Sequence, residues 1–149
     1  MGRAIVTTVL VLLSACSDPS SYNMSDLLGS WTEGQSLKPT GYMERVFRFH
    51  ADGTFTFEVY TYAVRKVSPA IRPDAVVSGH FTTNLQHLLL SPDSTTDWST
   101  APTPKTEAFR GSFLDDCTFQ VRGDRLTLNY VSYPADAPVP TTMQLRRTS

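Results

Sequence analysis

The stretch ERVFRFHADGTFTFEVY, residues 44–60, alternates apolar and polar side chains on both sides of an Asp-Gly pair. Successive residues of a strand point to opposite faces, so Phe47 and Phe49 share one side while Arg48 and His50 share the other. On the return, Phe55, Phe57 and Val59 lie together, opposite Thr56, Glu58 and Tyr60. The Asp-Gly pair supplies the positive φ that a tight hairpin needs. A helix cannot gather a period of two onto one face, because its own period is 3.6. The segment is therefore a half-buried antiparallel hairpin, apolar inward and polar outward.

The same logic carries through most of the chain. AVVSGHFTT predicts another strand, with Val77 and Phe81 inward and Gly79 where a strand can bend. HLLLS and AFRGSF predict two more. CTFQV and RLTLNYV alternate cleanly on either side of Arg122-Gly123-Asp124, a second hairpin signal, and TTMQLRR closes the chain with Met143 and Leu145 inward. Two excursions interrupt the pattern: residues 65–74, with two prolines, and residues 91–107, rich in Ser, Thr and Pro and read as a long loop. No helix-period segment of useful length occurs beyond a single turn over Asp26-Leu27-Leu28, with Ser25 as its cap and Gly29 as its stop. About eight strands joined by short turns specify an all-β sandwich or barrel.

The first residues follow a different rule. Met1-Gly2-Arg3 is cationic, and Ala4 to Leu13 is an uncharged apolar run. At about 1.5 Å per residue that run spans roughly half of a bilayer's hydrocarbon core, which suits an export signal and not a spanning helix. Leu13-Ser14-Ala15-Cys16 follows, and the chain turns polar at once. These four residues resemble the lipobox of bacterial lipoproteins. The resemblance implies acylation of the Cys16 thiol, cleavage before it, and an anchor strong enough to hold because several acyl chains share the load. It divides the chain into a signal peptide over 1–15, a lipidated cysteine with a polar tether over 16–23, and a domain over 24–149. Ser17 after the anchor, not Asp, implies the outer membrane, with the domain facing the periplasm. The alternative is an ordinary secretory signal with a chance cysteine near its cut site.

Without Arg3 the exported chain keeps twelve basic residues against fourteen acidic ones. That balance offers no excess charge to a phosphate backbone, so nucleic acid is not an expected partner. Cys117 is the only other cysteine. If Cys16 carries lipid it has no partner within the chain, and beside Phe119 it reads as a small buried hydrophobe.

LLGSWTEG, FRFHADGTFTFE, FQVRGDRLTLNY and MQLRR occur in that order, and they resemble the small lipocalin-like domains of bacterial lipoproteins. The resemblance implies an antiparallel up-and-down barrel, a Gly-x-Trp pattern at Gly29 and Trp31, and a late arginine packing over that tryptophan from Arg146 or Arg147. It also implies a small hydrophobic ligand in the barrel mouth. Seven inward aromatics, among them Phe47, Phe55 and Tyr130, suit a filled core, although aromatics line pockets as well.

Catalytic motifs are missing: no Gly-x-Ser-x-Gly elbow, phosphate-cradling glycine loop or His-Glu-x-x-His helix occurs. His50, His80 and His87 read as surface residues and not as metal ligands, and no cofactor is implied. Asp115-Asp116 reads as a turn and not as an acid–base pair. Tyr60 and Tyr62, outward on one strand, suit a protein-contact surface or a face covered by loops. The expected role is non-enzymatic binding. A protein-interaction role, as an inhibitor or immunity-type lipoprotein acting through the 65–74 and 91–107 loops, is the alternative.

Overall fold

The structure, a computed structural model, describes residues 22–37, 41–63, 72–98 and 103–148. The predicted signal peptide 1–15, the lipidation site Cys16 and most of the tether lie outside the described residues.

A short helix, α1 (Met24–Leu27), precedes nine strands: β1 (Gly29–Leu37), β2 (Gly41–Phe49), β3 (Thr54–Ala63), β4 (Ala75–Asn84), β5 (His87–Asp97), β6 (Lys105–Ala108), β7 (Asp115–Arg122), β8 (Arg125–Ser132) and β9 (Val139–Thr148). Eight of them close into an antiparallel barrel in chain order, β1-β2-β3-β4-β5-β7-β8-β9 and back to β1. β6 stays outside the ring and pairs with the far half of β5, from Ser94↔Ala108 to Asp97↔Lys105. Each strand pairs with its neighbour in sequence because short hairpins leave an antiparallel chain no longer route.

The β2–β3 hairpin forms as its alternation requires, with Phe49 opposite Phe55 and Phe47 opposite Phe57. Gly53 takes φ +81°, and the Asp52 carboxylate accepts from the Thr54 amide at 2.9 Å, fixing the turn. Phe47, Phe49, Phe55 and Phe119 are fully buried with Leu126, Leu128 and Leu145, so the lower barrel is filled by side chains. Eight strands enclose an interior just wide enough for that. Gly79 sits at a register shift in β4, and a Cβ there would lie 2.3 Å from the Ser91 carbonyl oxygen. Gly79 therefore marks an irregularity in the pairing, where β5 lies closer to β4 than a side chain permits.

Several expectations need correction. The helical turn begins two residues earlier than read, at Met24, and its cap is Asn23, whose side chain accepts from the Ser25 amide at 3.3 Å. The 91–107 stretch is not a loop throughout: β5 continues to Asp97, and Lys105–Ala108 forms β6. Ser/Thr-rich sequence reads as loop by composition, yet threonines suit a strand exposed on both faces. Residues 109–114 form no strand, whereas Gly29–Leu37 does and completes the ring. The count of eight strands is right with one member exchanged. Asp115 and Asp116 open β7 in a bulge and do not form a turn between strands, and Asp116 takes φ +50°.

The two ends of the barrel differ. One is sealed by α1, with Leu27 fully buried, and by the tight turns at His50–Gly53, Leu85-Gln86 and Gly123-Asp124. The other end, where β1 and β3 finish and β2 and β4 begin, forms the mouth.

The candidate binding site at the barrel mouth

At the sealed end the ring is fixed by one residue. The Trp31 indole nitrogen donates to the Leu27 carbonyl at 2.7 Å, holding α1 beneath the barrel. Arg147 lies over the Trp31 ring and donates to the Leu28 and Asp26 carbonyls. The sequence offered Arg146 or Arg147 for this position; Arg147 takes it, while Arg146 points outward.

The mouth is arranged otherwise. Phe113, on the segment between β6 and β7, reaches into the barrel against Phe55 (5.8 Å between ring centres), Phe57 (5.5 Å) and Phe109 (5.8 Å). It acts as a wedge. On one side lies a cleft of about 450 Å³ lined by Ser112, Phe113, Leu114 and the β8 end from Tyr130 to Tyr133. On the other lies a cleft of about 420 Å³ over the seam between β5 and β7, lined by Leu88, Leu90, Leu114, Cys117 and Tyr133 among others. Volumes of this order, with apolar and polar groups sharing the walls, are those of small-molecule sites.

The seam is open for a structural reason. β5 and β7 are paired at His87↔Thr118 alone, supported by the Phe119 amide donating to Gln86. Beyond that pair the bulge at Asp115–Thr118 carries β7 away from β5. Leu114 and Asp116 both hold positive φ near 50°. For a leucine that conformation costs on the order of 1 kcal/mol or more, so the surrounding packing of Phe113 and Leu114 must hold it. Strained backbone beside a bulge is where proteins re-aim side chains at a site.

Next to Tyr130 of the first cleft, Glu33 of β1 and Arg45 of β2 form an ion pair at 3.4 Å, with side chains only 14% and 21% exposed. One Glu33 carboxylate oxygen is buried with no hydrogen bond in addition to that contact. Tyr130 belongs to the same group: burial raises its phenol above the ordinary range, and the nearby Arg45 charge opposes the rise. A cleft whose phenol, Tyr130, is backed by a carboxylate and a guanidinium can orient an amphipathic molecule.

Compared with known proteins, the chain matches no family model, no curated protein and no solved structure.

The remaining candidates fall elsewhere. His50 is exposed at its hairpin, His87 is exposed at the head of β5, and His80 pairs through Nδ1 with Asp93 at 2.9 Å. They do not converge, and among the described residues no three His, Cys, Asp or Glu side chains come together. Cys117 is buried, and burial pushes its thiol up to about 12. Tyr60 is half-buried and not a free contact residue. Its hydroxyl donates to Glu58, which Arg48 grips through two nitrogens while also reaching Ser30. Burial first, and then Glu58, lift the Tyr60 phenol to about 12. The Tyr62 side chain lies outside the described residues.

Phe113, Glu33 and Arg45 are not among the residues singled out from sequence. Glu33 and Arg45 were within reach, since each lies two positions from an inward aromatic, Trp31 or Phe47, and shares its face. Phe113 gave only the break of alternation at Gly111 as a signal.

Proposed function

We propose that this chain is a lipid-anchored envelope lipoprotein whose lipocalin-like barrel binds a small hydrophobic ligand at its mouth, without catalysis. The anchor is Cys16 in Leu13-Ser14-Ala15-Cys16, and the domain stands in the periplasm, on the outer membrane. Support for the lipocalin-like type comes from the up-and-down order, α1 under the barrel, Gly29 and Trp31 at the start of β1, and Arg147 over Trp31.

The observation that carries the binding role is the Phe113 wedge between two clefts, one of which reaches the half-buried Glu33–Arg45 pair through Tyr130. A ligand with an apolar body and one polar group replaces the wedge's ring contacts and satisfies the mouth's polar side. Native mass spectrometry of the protein purified from its own envelope tests this. The expected result is a mass above that of the lipidated polypeptide, which returns to the polypeptide mass on mild activation. A mass equal to the lipidated polypeptide alone overturns the ligand.

A second reading has its own observation. Leu89 is 65% exposed and Tyr133 49% exposed, and both line the seam cleft. Large apolar side chains on the rim of a cleft suit a protein contact. On this reading the lip, and not the 65–74 and 91–107 loops as a whole, meets a periplasmic enzyme or toxin.

A further inference from the structure

The outer wall at the sealed end carries three arginines in one cross-strand row. Arg122 of β7 stands opposite Arg125 of β8, and Arg125 stands opposite Arg146 of β9. Their neighbours Val121, Leu126 and Leu145 are buried inside the barrel. Alternation therefore sends the arginines outward, and all three are exposed. The next row, Gln120, Thr127 and Gln144, completes a shallow groove of about 330 Å³ with no carboxylate in its lining. Like charges placed directly opposite across an antiparallel pair destabilise a sheet. Folding alone gives no reason to set Arg125 directly opposite Arg146. Among the described residues no ion pair engages Arg125 or Arg146.

A second observation says what meets this row. The chain arrives from its N-terminal side at Tyr22, whose hydroxyl accepts from Gln120 Nε2 at 3.0 Å and whose ring stands edge-on to Phe119. Gln120 belongs to the groove. Cys16 is only six residues before Tyr22, and a fully extended chain of that length spans at most about 20 Å. An acyl group on Cys16 thus brings this wall, and not the mouth, to the bilayer.

We propose that the arginine row docks on anionic phospholipid headgroups beside the anchor, so that the barrel stands on its sealed end with its mouth turned away from the membrane. The proposal rests on the reading of Cys16 as the lipidated residue. Planar guanidinium groups donate to two phosphate oxygens at once, which Lys cannot do in the same fork. A basic patch next to an acyl chain is the second signal that makes membrane attachment firm and oriented.

The test uses the exported chain, residues 16–149 carrying Cys16→Ser, sedimented with vesicles of phosphatidylcholine alone or of phosphatidylcholine mixed with phosphatidylglycerol. At low salt the mixed vesicles are expected to bind about a hundredfold more tightly, at roughly fivefold per arginine. That preference fades as salt screens the surface. Changing Arg122, Arg125 and Arg146 to Gln abolishes the preference, and Arg125→Gln alone lowers it about fivefold. Unchanged circular dichroism shows that each variant folds. A phosphatidylglycerol preference that survives the triple change overturns the proposal, and so does binding of inorganic phosphate or an acidic protein with no lipid preference. The anchor is read separately, from the mass of the chain with Cys16 intact: absence of acyl groups defeats that reading and leaves the vesicle preference standing.

Discussion

The Arg147 guanidinium carbon lies 4.1 Å from the centre of the Trp31 ring, and the same group donates to two carbonyls at the end of α1. One side chain thereby joins the last strand, the first strand and the helix that seals the barrel. Gly29 completes the contact: its φ is +115°, and a Cβ there would lie 2.9 Å from an Arg147 nitrogen. Arg147→Ala is expected to cost about 2 kcal/mol, combining a cation–π contact with charged hydrogen bonds at an exposed position. Arg147→Lys recovers less than half, because an ammonium cannot stack and fork together. Urea denaturation checks this: the midpoint falls while the slope stays constant. An Arg147→Ala midpoint equal to the parent's removes this contact from the account of closure.

Phe113 holds the mouth shut through its rings' neighbours, so removing it separates packing from binding. Phe113→Ala is expected to lose about 2–3 kcal/mol, less than a fully buried phenylalanine because the ring is only partly enclosed. The two flanking clefts merge, and an environment-sensitive apolar dye gains a saturable site. Fluorescence titration of parent and variant makes the comparison. Dye uptake that is no greater in the variant shows that the wedge does not gate the mouth.

Much of this architecture was legible from alternation alone. Period two placed Phe47, Phe49, Phe55, Val77, Phe81, Phe119, Met143 and Leu145 on the inner face, and all are buried. Turn chemistry placed the hairpins at Asp52-Gly53 and Gly123-Asp124, where both glycines hold positive φ. Cys117 was read as a buried hydrophobe and is one. The failures share a cause. β6 and the far half of β5 form an exposed extension of the ring, so no core face imprints a hydrophobic period on them. Compositional reading then takes Ser and Thr for loop. The site was the least legible part, because it depends on where a non-strand segment returns. Phe113 meets Phe57 only through tertiary packing, 56 positions away in sequence.

Gly79 offers a sharper test of the barrel's curvature. The 2.3 Å approach of a Cβ to the Ser91 oxygen meets backbone, not the flexible end of a side chain. Gly79→Ala must therefore push β5 from β4 at the bulge. Overpacking of this kind costs about 1–3 kcal/mol. Hydrogen exchange is expected to accelerate at the amides around Ser78–Phe81 and Ser91–Asp93, while the β8–β9 hairpin keeps its protection. Uniform acceleration across all strands contradicts a local strain at this bend.

Buried acids predict how the fold fails at high pH. Burial moves the Cys117 thiol from an ordinary value near 9 to about 12, and burial with Glu58 moves the Tyr60 phenol from 10 to about 12. Both shifts favour the protonated form in the folded state. Between those limits the folded chain binds more protons than the unfolded chain, so their stabilisation is intact below about pH 9 and is lost as pH rises toward 12. For the thiol, which is buried, the slope reaches at most about 1.4 kcal/mol per pH unit. Cys117→Ala is expected to shift stability by a constant at neutral pH and to flatten its decline from about pH 9 upward, about one pH unit before the Tyr60 phenol contributes in full. Tyr60→Phe acts later, above pH 10. Urea midpoints measured across this range resolve the two, and iodoacetamide gives an independent reading. Alkylation of Cys117 at pH 8.5 should wait on unfolding and speed up with added urea. A thiol that reacts in native buffer at the rate of a free cysteine is not the buried group between β5 and β7.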